Sequence, residues 1–117
     1  MLINQAVIFC GGLGSRISKI TKKIPKPLIR VNGKPVIEHI IKNLARFGIN
    51  EILLLCGYKS NLFSKKYNNK KFFGAKIKCI NESKPLGTSG ALLNSKKYLK
   101  KYFILCNGDT FFDINLN

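Results

Sequence analysis

Residues 5–16 read QAVIFCGGLGSR, an unbroken apolar run from Ala6 to Cys10 that halts at Gly11-Gly12-Leu13-Gly14-Ser15-Arg16. A short continuous run bounded by glycine is what a strand covered on both faces looks like, whereas a half-exposed strand would alternate. The same grammar repeats downstream. Pro35 can occupy a helix first turn, and Val36, Ile37, Ile40, Ile41, Leu44 and Phe47 recur at helical spacing until Gly48, which predicts an amphipathic helix. Glu51 to Cys56 (EILLLC) predicts a second buried strand ending at Gly57, and Ser60 to Tyr67 a short helix with Leu62, Phe63 and Tyr67 turned inward. Lys76 to Ile80 alternates as a strand, Ser89 to Leu99 has a helical pattern, and Tyr102 to Cys106 (YFILC) predicts a fourth apolar strand stopped by Asn107 and Gly108.

Strands alternating with helices define an α/β class: a Rossmann-like parallel sheet with helices on both faces. In such sheets ligands bind outside the carboxyl ends of the strands, where the chain order reverses, and the Gly-rich loops here follow the first and fourth strands. At 117 residues the chain is one domain, 1–117, without an internal repeat or a low-complexity linker.

Composition removes several classes. Apolar residues at 45% and charged residues at 22% set the chain apart from disordered sequences. No apolar run reaches the ~18 residues that a membrane span requires, and Met1 to Cys10 lacks the basic start and cleavage site of a signal peptide, so the expectation is a cytoplasmic protein without a membrane partner. Cys10, Cys56, Cys79 and Cys106 sit in or at the end of apolar runs without zinc or redox spacing, and are expected as reduced, buried small hydrophobes. The formal charge of +16 comes from 21 Lys and Arg against 5 Asp and Glu. The lysines are scattered among helix ends and loops, with few aromatics between them for base stacking, which favours a solvated basic surface over a nucleic-acid groove.

Chemistry concentrates after the first strand. Gly11, Gly12 and Gly14 let the backbone approach a phosphate and expose N–H groups toward it, an anion cradle, although the spacing matches neither the P-loop nor the complete dinucleotide fingerprint. Ten residues past Arg16, the prolines of Ile24-Pro25-Lys26-Pro27-Leu28 fix the backbone around one lysine. Held there, Lys26 can reach the same phosphates as Arg16. Two cations at one polyphosphate suit in-line attack on phosphorus, because charge grows on the leaving pyrophosphate and on the equatorial oxygens. His39 falls within the long helix and reads as a partly exposed helix residue.

Gly-Gly-x-Gly-x-Arg followed by Pro-Lys-Pro resembles the signature of the sugar-1-phosphate nucleotidyltransferases, which join a sugar 1-phosphate to a nucleoside triphosphate and release pyrophosphate. The resemblance runs on through Asn32-Gly33-Lys34-Pro35, Gly57-Tyr58-Lys59, Glu82 with Pro85-Leu86-Gly87-Thr88-Ser89-Gly90, and Asn107-Gly108-Asp109, and so covers the whole chain. It implies that Gly11, Gly12, Gly14 and Ser15 form the nucleotide loop, that Arg16 and Lys26 stabilise the transferring phosphate, that Glu82 and Gly87 contact the base, and that Asp109 binds Mg²⁺. A carboxylate just past a parallel strand is well placed for a hard cation that bridges phosphates. A carboxylate at Glu82 suits the adjacent N1–H and 2-amino donors of guanine, which favours GTP, and cytosine also offers an amino donor. The motifs look most like guanylyltransferases of heptose or mannose 1-phosphate.

Members of this family are longer, and the resemblance places their sugar pocket and a second metal-binding aspartate in a later half, so an incomplete, N-terminal nucleotidyltransferase fold is expected. Asp113 does not match that second position. A bare outer edge on the fourth strand is expected as well, and with it self-association into a homo-oligomer. Two other readings stand beside the enzyme: a nucleotide-binding module without turnover, and a basic nucleic-acid-binding domain.

Overall fold

The computed structural model describes residues 3–11, 24–57, 59–81 and 87–108. Its centre is a five-stranded sheet built from β1 (Gln5–Phe9), β4 (Glu51–Cys56), β5 (Lys71–Phe72), β6 (Ala75–Asn81) and β7 (Ile104–Asn107), in the order β5-β6-β4-β1-β7. β6, β4, β1 and β7 run parallel, and β5 pairs antiparallel to β6 as a short hairpin arm. A separate hairpin, β2 (Arg30–Val31) with β3 (Lys34–Pro35), turns through Asn32 and Gly33, both at positive φ. Helices α1 (Val36–Arg46), α2 (Ser60–Tyr67) and α3 (Gly87–Asn94), with two 3₁₀ turns (Lys26–Leu28 and Lys96–Tyr98), complete the described elements.

Alternate residues of the two central strands serve two cores. Ala6 and Ile8 of β1 and Ile52, Leu54 and Cys56 of β4 face one side, packed with Ile37, Ile41 and Leu44 of α1 and Phe63 and Tyr67 of α2. Val7, Leu53 and Leu55 face the other, packed with Ala91 of α3 and backed by Leu92, Tyr98, Leu99 and Phe103. Helices therefore cover both faces, and the unbroken apolar runs follow directly from that. The chain passes outward from β1 to β4 and then β6, and returns to place β7 on the opposite flank of β1. The order reverses at β1, so the ends of β1 and β7 flank the expected ligand crevice.

Four details depart from expectation. Leu62 is 38% exposed, and only Phe63 and Tyr67 anchor α2. The helix expected over 89–99 stops at Asn94. Buried Ser95 donates its hydroxyl to the Leu92 carbonyl at 2.9 Å, competing with the helical ladder, and a single 3₁₀ turn (Lys96–Tyr98) follows. The last strand starts at Ile104 rather than at Tyr102, which is exposed. Cys10 and Cys56 are buried free thiols, but Cys79 and Cys106 are only partly buried, because both lie on the strands that flank the β4–β1 pair. Among the described residues, β7 is the outer strand on its side, and Leu105 is 46% exposed. No described helix is long and apolar enough to cross a membrane.

Buried polar groups lock the elements together. Gln5, fully buried, donates from Nε2 to the Tyr98 carbonyl and accepts the Lys100 N–H at Oε1, both at 2.8 Å, which fixes the segment leading into β7 against the start of β1. Tyr67, also fully buried, donates its hydroxyl to Glu38 Oε2 at 2.7 Å and ties α2 to α1. Burial, and then the hydrogen bond and charge of Glu38, hold the Tyr67 phenol well above its ordinary range. A group whose pKa is raised by folding adds stability that is fully present below its unfolded value, about 10 for tyrosine, and that is lost as pH climbs beyond it. Tyr67→Phe is therefore expected to lose about 1–3 kcal/mol at neutral pH, and its stability should decline less steeply above about pH 10 than the parent's. Chemical unfolding across that pH range reads both effects, and parallel curves for the two proteins would contradict this assignment.

Candidate active site

The ends of β7 and β4 both approach the end of β1 so closely that a side chain at either junction would be crowded. At Gly108, which follows β7, a Cβ would lie 3.0 Å from the Phe9 carbonyl oxygen, 3.1 Å from Pro27 Cγ and 3.2 Å from Cys10 Sγ. The Gly108 N–H donates to that same Phe9 oxygen at 2.9 Å. At Gly57, which follows β4, a Cβ would lie 3.1 Å from the Gly11 carbonyl oxygen. Cys10 continues the ladder by donating to the Leu55 carbonyl at 2.8 Å, so Gly11 is delivered at a fixed height at the end of β1.

The Pro-Lys-Pro segment seats on this junction. Pro25 and Pro27 are buried and Lys26 between them is exposed, in a 3₁₀ turn (Lys26–Leu28) closed by Leu28 N–H on the Pro25 carbonyl at 2.9 Å. Ile29 accepts the Val36 N–H at 2.9 Å, which ties the segment to the start of α1. Lys26 is thus presented from a backbone clamped on both sides, beside the strand end that leads into Asp109. The prolines make this local geometry, since each fixes φ and neither requires an N–H partner.

On the other flank, Asn81 ends β6. Its amide Nδ2 donates to Ser64 Oγ at 3.1 Å and its Oδ1 accepts from Ser64 Oγ at 3.2 Å, so α2 holds the residue that immediately precedes Glu82. Gly87 opens α3. Of the residues expected at the site, Gly11, Lys26 and Gly87 are described; Gly12, Gly14, Ser15, Arg16, Glu82 and Asp109 lie outside the described residues. What the sequence reading missed is the packing role of Gly57 and Gly108. The available signal was that each glycine directly follows an apolar strand, or follows it after a single asparagine.

The described residues leave few other candidates for chemistry. Glu38 pairs with Lys66 at 3.1 Å and with Tyr67, and Glu51 pairs with Lys100 at 3.0 Å, so both carboxylates are occupied away from the crevice. No cluster of three or more His, Cys, Asp or Glu able to hold a metal occurs among the described residues. His39 donates from Nε2 to the Val31 carbonyl at 2.6 Å and braces the β2–β3 hairpin. Contact with the Cys56 thiol and burial hold the Cys79 thiol well above the ordinary range, and burial raises that of Cys106, so neither is poised as a thiolate.

A doubly covered, largely parallel sheet, with Gly11 at the end of its first strand and a clamped Pro-Lys-Pro seated on the β1–β7 junction, defines an α/β protein. The family model for nucleotidyl transferases matches residues 5–117, and the chain belongs to that family. It is 46% identical over 113 residues to the D-glycero-alpha-D-manno-heptose 1-phosphate guanylyltransferase of Campylobacter jejuni, an alignment that covers 97% of this chain and 51% of that protein. The enzyme of the same description from Aneurinibacillus thermoaerophilus is 33% identical, with 96% and 49% covered. Among solved structures, HddC from Yersinia pseudotuberculosis complexed with GMP-PN superposes with a TM-score of 0.83 at 34% identity, over 96% of this chain and 50% of that one. The chain spans about half the length of these relatives.

The packing at Gly108 gives a direct test. Gly108→Ala places a methyl group against a backbone oxygen, a proline ring and a buried sulfur, and is expected to destabilise by about 1–3 kcal/mol. Gly57→Ala has backbone atoms of Gly11 as its nearest neighbours, none closer than 3.1 Å, and should cost less. Denaturant unfolding of the two variants reads the difference; a larger loss at Gly57 would contradict the ranking.

Proposed function

We propose that this chain forms the nucleotide-binding half of a sugar-1-phosphate guanylyltransferase, which transfers GMP from GTP to a sugar 1-phosphate, heptose or mannose in class, and releases pyrophosphate. The observation that carries the reading is the convergence of Gly11, Lys26 and Gly108 at the carboxyl ends of β1 and β7, where the strand order reverses. The relationship to heptose 1-phosphate guanylyltransferases supports the base and the sugar class. A cytoplasmic setting accords with a nucleoside triphosphate substrate.

The chemistry needs little from protein side chains beyond position and charge. A phosphate oxygen of the sugar 1-phosphate, anionic at neutral pH, attacks the α-phosphorus of GTP. The new P–O bond forms as the bond from the α-phosphorus to the oxygen bridging to the β-phosphorus breaks, and the electron pair leaves with pyrophosphate. Gly11, Gly12, Gly14 and Ser15 present backbone N–H groups to the triphosphate, while Arg16 and Lys26 neutralise the charge that grows on the leaving group. Glu82 accepts the N1–H and 2-amino donors of guanine, with Gly87 beside the base. With Glu38 and Glu51 engaged elsewhere, Asp109 is the carboxylate that follows a crevice strand, and together with phosphate oxygens it suits a hard cation. A divalent cation held by Asp109 would supply neutralisation of phosphate charge.

Thermal unfolding with ATP, GTP, CTP, UTP and dTTP, with and without Mg²⁺, tests the proposal, because a ligand that binds only the folded form stabilises it by about 2.7 kcal/mol at a hundredfold excess over Kd. The expected result is a Mg²⁺-dependent rise with GTP that Arg16→Ala and Asp109→Ala abolish. No rise with any nucleotide in a cooperatively unfolding protein would overturn it. Pyrophosphate release from GTP and heptose 1-phosphate then separates a transferase from a binding module, and Lys26→Ala should slow release more than it weakens GTP binding.

A further inference from the structure

All four cysteines, each a free thiol, lie on one face of the sheet: Cys10 and Cys56 belong to the core under α1 and α2, and Cys79 and Cys106 pack against that same core. Two of them are brought together. Leu54 of β4 stands in register with Cys79 of β6, and Cys56 follows Leu54 by two residues, so Cys56 and Cys79 are diagonal neighbours on adjacent parallel strands. Their thiols are in hydrogen-bond contact, and the Cys56 thiol also donates to the Leu54 carbonyl at 3.5 Å.

The diagonal decides what such a pair can do. Strands about 4.8 Å apart and a rise of about 3.3 Å per residue put diagonal Cα atoms roughly 8 Å apart, beyond the ~4.4–6.8 Å that a disulfide spans. The sulfurs meet, but closing a disulfide would require a strand to move. A bridge one atom longer fits, because two metal–sulfur bonds of about 2.3 Å in line hold the sulfurs about 4.6 Å apart. Access is uneven across the pair, since Cys56 is fully buried and Cys79 only partly so. Pairing of the β5 arm with β6 ends at Ile77, whose N–H donates to the Lys70 carbonyl and whose carbonyl accepts the Asn69 N–H. Past that point, among the described residues, no strand covers the outer edge of β6, and Asn68 Oδ1 accepts the Cys79 N–H at 2.8 Å. A small ion can enter beside Cys79.

The ligand set selects the ion. Among the described residues no third His, Cys, Asp or Glu joins the pair to hold a metal, so four-coordinate zinc has no site here. The nearby Ser64 and Asn81 side chains are bonded to each other, and Asn68 is engaged by the Cys79 N–H. Two sulfurs without oxygen ligands suit a soft monovalent cation. We propose that Cys56 and Cys79 form a two-thiol site for a soft monovalent cation of the Cu⁺ class at the seam between β4 and β6. Each thiol loses its proton and forms one bond to the metal, so two protons are released per cation and the oxidation state of the metal is unchanged. Contact with Cys56 and burial keep the Cys79 thiol protonated in the metal-free protein, so affinity rises with pH. No nucleotide is required.

Titration of the reduced whole protein with Cu⁺, under argon and against a chromophoric Cu⁺ chelator, tests this. One equivalent is expected to bind, with a higher melting temperature and with affinity that climbs as pH is raised. Cys79→Ser and Cys56→Ala should each lower the affinity by about a hundredfold or more, whereas Cys106→Ser, which removes a partly buried thiol on the far strand, should leave it unchanged. X-ray absorption at the copper edge of the parent needs no variant and should read two sulfur neighbours. Three or more sulfurs, binding retained in Cys79→Ser, an equal loss in Cys106→Ser, or no binding by the parent would each overturn the assignment.

Discussion

The constraint on which the rest of the structure depends is the close approach of β7 to β1 at Gly108. A hydrogen bond to the Phe9 carbonyl and the absence of a side chain let the end of β7, the end of β1 and the Pro27 ring occupy one junction. Strand pairing alone would align β7 with β1, but it would not seat the Pro-Lys-Pro turn above them. With a Cβ at 108, either the strand or the proline must withdraw, and Lys26 would move with it. Packing at this junction therefore sets the electrostatics of the crevice. On the proposed nucleotide reading, a cation carried on a clamped backbone would lose little freedom on binding phosphate, whereas one on a mobile loop would have to be ordered at binding.

A second theme is how so basic a chain places its charge. With few carboxylates available, the described ion pairs are local braces: Glu38 with Lys66 between α1 and α2, and Glu51 with Lys100 at the amino end of the sheet. Elsewhere lysines lie over aromatic rings, Lys78 and Lys97 at Tyr98 and Lys101 at Tyr102, within 4.8 to 5.6 Å of the centroids. Aromatic faces attract cations without a partner charge, and the arrangement covers apolar surface with solvated ammonium groups. The acids that remain in the sequence, Glu82, Asp109 and Asp113, come after β6 and β7 in the chain.

Much of the fold was legible because the pattern is local. Burial on both faces makes β1 and β4 continuous apolar runs, and the spacing from Val36 to Leu44 marks the buried stripe of α1. The misreadings have equally specific causes. β5 is two residues long, too short for any period to register. Ser95 ends a helix through its own hydroxyl, a choice the apolar pattern around Leu92 and Leu99 does not reveal. At the site, the glycine loop and Pro-Lys-Pro stood out because each is contiguous. Gly57 and Gly108 did not, since their work is a contact with residues far away in the chain. Side-chain clamps such as Gln5 on Tyr98 and Lys100, spanning more than ninety residues, belong to the same class.

The central claim is that nucleotide binds across the carboxyl ends of the parallel strands. Backbone amide NMR of the labelled protein, titrated with GTP and Mg²⁺, addresses it most directly. The account predicts saturable shifts concentrated at Gly11, Lys26, Gly57, Asn81 and Gly108, with Gln5, Lys100 and Phe73 at the other end of the sheet unmoved. Shifts spread over the surface lysines without saturation, or centred on that opposite end, would contradict it.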